Sequence, residues 1–277
     1  MNKTYNILYT CPVDHVGTSV FVRGWTFPQS ERAPVIFIHD LGETADQYDR
    51  FAQSVTDIGH SVYGFDMRGH GQSGRRLGHI PSFQHLVNDL LQVVAWVRHK
   101  EKGRKPILIG QGIGSLVLLG FTKGHSKLCD SAAFICPTFA LAETIQPWRR
   151  FLLRTAAEVF PTLMTPQWLL PVFTEPTAQQ KHPRISYLLT NELLNALAQS
   201  KKLFNRLNIK TLMICPEEDR ICKTEYLKKG VQKHKNSEKF NLIYKHNIGH
   251  SPLNHDEEYA HLLSDLRTWM EPPLEGT

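Results

Sequence analysis

The sequence predicts an α/β fold, a mostly parallel, doubly wound sheet interrupted by a helical insertion. Three observations predict it. Short β-rich runs alternate with helically periodic stretches over residues 19–136 and again over 207–270, the rhythm of a sheet with helices on both faces. Between them, from 137 to about 206, the rhythm breaks into a stretch rich in Pro, Trp and Phe. The length, 277 residues, suits one large domain with such an insertion.

In chain order, residues 19–25 and 35–39 read as strands, 46–58 as a helix and 61–66 as a strand. Ser82 stands where an N-cap belongs, before a helix to Lys100 that gathers Phe83, Leu86, Val87, Leu90, Val94 and Val97 on one face. Residues 106–110 read as a buried strand, 113–124 as a helix and 132–136 as a strand; after Arg206 come strand 209–215, helix 223–233, strand 239–245 and helix 256–270. In the irregular stretch IQPWRRFLLRTAAEVFPTLMTPQWLLPVF, Arg150, Arg154 and Glu158 share one helical face and Leu153, Ala157 and Phe160 another. The expected division is a core of residues 1–136 and 207–277, with 137–206 as a helical cap over the sheet's functional edge; only the tail from Pro272 to Thr277 looks loose.

Composition narrows the function classes. Hydrophobic residues at 41% and charged residues at 21% are ordinary for a soluble globular chain. The longest apolar run, 107–121, is broken by Gln111 and glycines and is too short to span a bilayer. The start, MNKTYNILYTCPVD, lacks a long apolar segment, so no secretory signal is expected. Cys11, Cys129, Cys136, Cys215 and Cys222 are odd in number and lack zinc-ligand spacing, as suits a reducing cytoplasm, where they pack as small apolar side chains. The net charge of +6 is scattered, which favours anionic surfaces mildly and nucleic acid not at all.

Four segments need a joint explanation: IFIHDLGETADQYDRFA (36–52), GFDMRGHGQSG (64–74), LIGQGIGSLVLL (108–119), and the pair CPEEDRIC (215–222) and HNIGHSPLNHDEE (246–258). Each contains or follows a strand, and in open parallel sheets the loops after strands gather on one edge, where function sits. The order of glycine turn, acid and histidine matches one known arrangement for nucleophilic catalysis.

At these residues the chain resembles the α/β-hydrolase superfamily, and within it the monoacylglycerol lipase and lysophospholipase (serine aminopeptidase-like) branch. The resemblance runs from about residue 20 to 270 and rests on H-x-L-G-E at 39–43, D-x-R-G-H-G-x-S at 66–73, the insertion, and E-D-R-I (218–221) ahead of G-H-S-P-L (249–253). It implies the α/β-hydrolase fold, with Asp219 as triad acid, His250 as base, and the backbone N–H groups of Leu41 and Ile113 as oxyanion donors. It implies no cofactor and no metal; a His246/His250 metal pair would need a helix that Gly249 and Pro252 oppose. His39 and Asp66 are expected to hold their loops.

Two positions depart from the pattern. The elbow glycines Gly110 and Gly114 are in place, but Gly112 stands where the branch has its nucleophilic serine. Neither Ser115, on the first turn of the helix, nor Ser73, in another loop, is placed to replace it. Asp40 stands where the branch has glycine, and is expected to point to solvent. A triad without its nucleophile loses about a million-fold in turnover. Three readings follow: a lipase-lineage protein inactive or impaired as an ester hydrolase, which with serine at 112 would act on medium or long acyl esters and meet lipid surfaces transiently through Arg149 and Arg150; a non-catalytic protein binding an acyl or other hydrophobic small molecule under the cap; and general-base chemistry by His250 and Asp219 without a covalent intermediate. A dinucleotide site built on Gly110, Gly112 and Ser115 with Asp130 leaves the other segments unexplained.

Overall fold

The computed structural model describes residues 4–14, 17–73, 76–173, 184–234, 237–245, 248–254 and 256–271. Among the described residues eight strands form one sheet: β1 (Thr4–Pro12), β2 (Ser19–Thr26), β3 (Val35–Ile38), β4 (Val62–Phe65), β5 (Ile107–Gln111), β6 (Ser131–Ile135), β7 (Lys210–Pro216) and β8 (Phe240–Lys245). Their order is β1-β2-β4-β3-β5-β6-β7-β8. The pairs β1/β2 and β2/β4 are antiparallel and all later pairs are parallel. Strand β1 was not foreseen. It is an outer strand on the antiparallel side, and its half-exposed alternation carries less apolar signal than the buried runs.

Period-2 alternation divides the buried strands between two cores. Ile36, Ile38, Leu108, Ala132 and Phe134 face one side, where α2 (Phe83–Lys100), α3 (Ile113–His125) and α5 (Tyr187–Phe204) pack with Leu90, Leu116 and Leu193. Val35, Phe37, Ile109, Ala133 and Ile135 face the other, against α1 (Asp49–Asp57) and α7 (Asp256–Met270) through Phe51 and Leu262. The sheet is thus doubly wound, the α/β-hydrolase architecture. Remaining helices are α4 (Pro147–Val159) and α6 (Thr224–Gln232).

The expected helix at 46–58 divides into a 3-10 turn, Ala45–Tyr48, followed by α1. Ser82 occupies the N-cap position of α2 in extended backbone, but its side chain does not cap. Its hydroxyl pairs with the His85 ring at 2.8 Å, and the Phe83 N–H donates to Glu192 on α5 instead. Helices α4 and α5 both lie between β6 and β7, inside the stretch read as an insertion. Leu153 and Ala157 are its buried face, whereas Phe160, read with them, is 58% exposed because α4 ends at Val159. Among the described residues no helix is long and apolar enough to cross a membrane.

Chain order in the sheet reverses around β3: the chain passes from β3 to β4 on one side and then to β5 on the other. Loops leaving the carboxyl ends of β3 and β5 diverge there, the place where open α/β sheets gather their functional groups.

Candidate active site

The site grows from that switch point. Strand β5 ends at Gln111 and α3 begins at Ile113, leaving Gly112 alone to turn the chain. Its φ of +52° and ψ of −121° lie where side-chain-bearing residues are strained. The turn packs without clearance: a Cβ on Gly114 would sit 2.4 Å from the Ile38 carbonyl oxygen and 2.5 Å from that of His39. Gly110 is similarly confined, at 2.8 Å from the Gly114 carbonyl oxygen. Ser115 is buried and donates to the Gly110 carbonyl at 2.5 Å, and the Ser73 hydroxyl accepts the Phe21 N–H at 2.7 Å. Both hydroxyls are spent on holding backbone.

Asp40 does not point to solvent. It is fully buried, and its carboxylate turns inward over Gly112. Oδ1 accepts the N–H of Leu41 at 2.7 Å and that of Ile113 at 2.7 Å. The reason is electrostatic as well as steric. The Ile113 N–H is at the first turn of α3, where orphan donors and the helix dipole attract an anion. Gly112 has no side chain to fill the space; a Cβ there would lie 2.1 Å from Asp40 Cγ and 2.2–2.3 Å from its oxygens. The two N–H groups singled out as oxyanion donors therefore already hold an anion, supplied by the chain itself.

His250, between β8 and α7, and Asp219, in the loop after β7, meet at 2.9 Å through Nδ1 and Oδ2. With the carboxylate accepting, Nδ1 carries the proton and Nε2 faces inward. There Nε2 lies 3.3 Å from Thr138 Oγ1 and 3.7 Å from Asp40 Oδ2. Asp219 Oδ1 accepts the N–H groups of Ile221 at 2.7 Å and Cys222 at 3.1 Å. Burial alone would raise the Asp219 carboxyl, but the hydrogen bond and charge of His250, with those two N–H groups, hold it below the usual carboxylate range.

A second polar layer supports Asp40. Its N–H donates to Glu43 Oε2 at 2.9 Å, the same oxygen accepts the Tyr48 hydroxyl, and Gln111 Nε2 donates to that hydroxyl at 2.8 Å. Burial first, and the nearby Asp40 charge second, push Glu43 up to about 7. The Met67 N–H donates to His39 Nε2 at 2.9 Å, which puts the ring proton on Nδ1, donating to the Asp40 carbonyl at 2.7 Å. Burial lowers this histidine to about 4, so it is neutral. Asp66 accepts the Ala45 and Gln72 N–H groups, each at 2.8 Å. His39 and Asp66 thus pin the loops on which they were found.

Thr138, Glu43 and Tyr48 escaped the sequence reading as site residues. The only signal for Thr138 was its place three residues beyond β6, at the sheet edge where the other groups gather. As for metals, Asp219, Cys222 and His250 place one ligand atom each within 4.8 Å of one another. The first and third already bond each other, and burial, then the Asp219 charge, keeps the Cys222 thiol protonated. His246 lies outside the described residues.

The centre is closed to solvent: Asp40, Thr138, His250 and Ser251 are all buried. A cavity of about 490 Å³ lies beside it, with Glu43, His70, Leu77, Met164 and Ile185 in its wall. Within residues 137–206, Trp148, Phe151, Val159, Phe160, Leu163 and Trp168 are more than half exposed.

Comparison with known proteins gives the chain its family and fold relatives. The family model described as Serine aminopeptidase, S33 (Hydrolase_4) matches residues 29–257. A Rattus norvegicus monoglyceride lipase is 22% identical over 267 residues, covering 92% of this chain and 87% of the relative. A monkeypox virus monoglyceride lipase homolog is 20% identical over 260 residues, covering 91% and 94%. Among solved structures, the Paleococcus ferrophilus monoacylglycerol lipase superposes with a TM-score of 0.77 at 19% identity, covering 91% of this chain and 98% of that one. A soluble variant of the Saccharomyces cerevisiae monoglyceride lipase, in complex with a substrate analog, gives 0.78 at 17% identity, covering 97% and 96%. At these identities the structural likenesses speak for the fold.

Proposed function

The chain belongs to the serine aminopeptidase S33 family and is a lipase-like α/β-hydrolase, and from that premise we propose that it does not run serine acyl-enzyme chemistry. In this reading Gly112 stands at the nucleophile position, Asp219 and His250 form the residual acid–base pair, and the N–H groups of Leu41 and Ile113 are the oxyanion donors. The observation that carries it is the Asp40 carboxylate, which lies over Gly112 with Oδ1 on both donors at 2.7 Å. An acyl substrate would find neither a hydroxyl at the elbow to attack it nor free donors for its developing charge, the two contributions on which acyl transfer depends most.

The test is a fluorophosphonate read by intact mass, with 4-nitrophenyl butyrate hydrolysis beside it. The unmodified protein remains unlabelled and hydrolyses the ester no faster than a denatured control. Asp40→Gly/Gly112→Ser, which supplies the hydroxyl and vacates the donors together, takes up the adduct. A stoichiometric adduct on the unmodified protein sinks the reading.

A second reading is favoured by the cavity beside Glu43. Leu77, Met164 and Ile185 give it an apolar wall under residues 137–206, read as a cap, and it suits an acyl chain or other hydrophobic molecule held without cleavage. The exposed Trp148, Phe151 and Trp168 on the same insertion, with Arg154 among them on α4, suit transient contact with a lipid surface in the cytoplasm; Arg149 and Arg150, expected in that role, are instead half-buried, the first on Glu143 and the second on Asn191 and Asn195.

A further inference from the structure

Asp219 and His250 are fully assembled at a centre whose elbow position holds glycine, and that assembly calls for a reacting group. We infer that Asp40 is itself the nucleophile, and that the site hydrolyses an alkyl electrophile, such as an alkyl halide, through an ester formed on the Asp40 side chain. The inference rests on the serine-free reading above and goes beyond it.

The geometry gives each oxygen of Asp40 a separate task. Oδ1 is fixed by the Leu41 and Ile113 N–H groups, both at 2.7 Å. Oδ2 is turned toward the relay, 3.7 Å from His250 Nε2. Gly112 is what makes this possible, because any Cβ there would overlap the carboxylate. The same arrangement selects the substrate class. With both donors on the nucleophile's own Oδ1, they cannot stabilise an oxyanion on a substrate acyl group. They can stabilise one on Asp40 Cγ. The bond attacked first is therefore at saturated carbon, and the carbonyl attacked second is the enzyme's own.

In the first step Oδ2 displaces the halide from carbon, giving an alkyl ester of Asp40 and a free halide ion. In the second, His250 Nε2 takes a proton from water, its Nδ1–H held on Asp219, and the oxygen of that water adds to Asp40 Cγ. The negative charge gathers on Oδ1 against the two N–H groups. Collapse expels the alkoxide, which takes the proton from His250, so that an alcohol leaves. Overall, alkyl halide and water become alcohol, halide and one proton, and Asp40 returns as a carboxylate carrying one oxygen from water. Glu43 links the reacting group to the neighbouring cavity: it accepts the Asp40 N–H and also walls the space in which Leu77, Met164 and Ile185 would face an alkyl chain.

The experiment uses 1-bromohexane in water enriched in oxygen-18, with bromide release followed and the Asp40-bearing peptide weighed after proteolysis. The expected result is bromide release with heavy oxygen in Asp40. In His250→Gln a hexyl ester accumulates on the same peptide and is removed by hydroxylamine, which leaves cysteine thioethers untouched. In Asp40→Asn, an isosteric change whose folding is checked by circular dichroism, release and labelling both vanish. Heavy oxygen in the hexanol but never in Asp40, or no bromide release and no ester in folded protein, overturns the inference. Fluorophosphonate labelling of the unmodified protein would instead overturn the serine-free reading, so the two failures are distinguishable.

Discussion

Placing a hydroxyl at position 112 by itself should fail, and the reason can be sized. In Gly112→Ser the new Cβ falls 2.1 Å from Asp40 Cγ and 2.2–2.3 Å from its oxygens, so the carboxylate must leave. Leaving forfeits two hydrogen bonds to a charged acceptor, about 1.5–3 kcal/mol each, and the backbone at φ +52° adds about 1–3 kcal/mol of strain for any side chain. The single variant is therefore destabilised by about 4 kcal/mol or more, a large share of the roughly 5–15 kcal/mol that holds a native domain together. Asp40→Gly alone costs less, about 1–3 kcal/mol, because water can take up the vacated donors. In Asp40→Gly/Gly112→Ser the overlap is gone and only strain and lost bonding remain. Urea unfolding of the four proteins should then give a coupling of about 3 kcal/mol in the direction of rescue, at the upper end for touching residues. Gly112→Ala, with the same Cβ and no hydroxyl, should couple to Asp40→Gly equally. Additivity within about 0.5 kcal/mol would mean that Asp40 does not occupy this space, and the reasoning from its position would fall with it.

Further outcomes follow from neighbouring contacts. His39, lowered by burial to about 4 from an ordinary 6.5, stabilises the fold fully above 6.5 and loses that contribution as pH falls through 4, at most about 3 kcal/mol; urea midpoints against pH should be flatter across this window in His39→Gln, and an unchanged slope refutes the assignment. Gly114→Ala should abolish folded expression, since its Cβ meets backbone carbonyls at 2.4–2.5 Å, whereas Gly124→Ala, in open space near the end of α3, should be neutral or raise stability by about 0.5–1 kcal/mol in thermal melts. In the Asp40→Gly/Gly112→Ser background, Asp219→Asn should slow fluorophosphonate labelling by about 10⁴-fold, because the amide cannot hold the Nδ1–H tautomer of His250; labelling at an undiminished rate would separate Asp219 from the relay.

Much of this protein is legible in local sequence. Patterns of apolar residues located every strand from β2 onward and the helices of the core, since periodicity depends on neighbours a few residues away. Gly110 and Gly114 announced the tight turn, and Asp219 and His250, picked out by the family resemblance and supported by their place after strands, do come within 2.9 Å. What local sequence could not give is direction and partnership across the sheet. Strand β1 exists because β2 pairs with it, and the cap of α2 was reassigned from Ser82 to Glu192, 109 residues from its donor. Asp40 turns inward because an N–H 73 residues away, at the start of α3, attracts a carboxylate and because Gly112 leaves the volume for it. Thr138 meets His250 across 112 residues of chain. Sequence alone determined which strands and turns would form and which acid and histidine would stand at their ends. Only the tertiary structure decided that an anion of the chain's own fills the space between them, because that choice rests on volumes and dipoles assembled from distant segments.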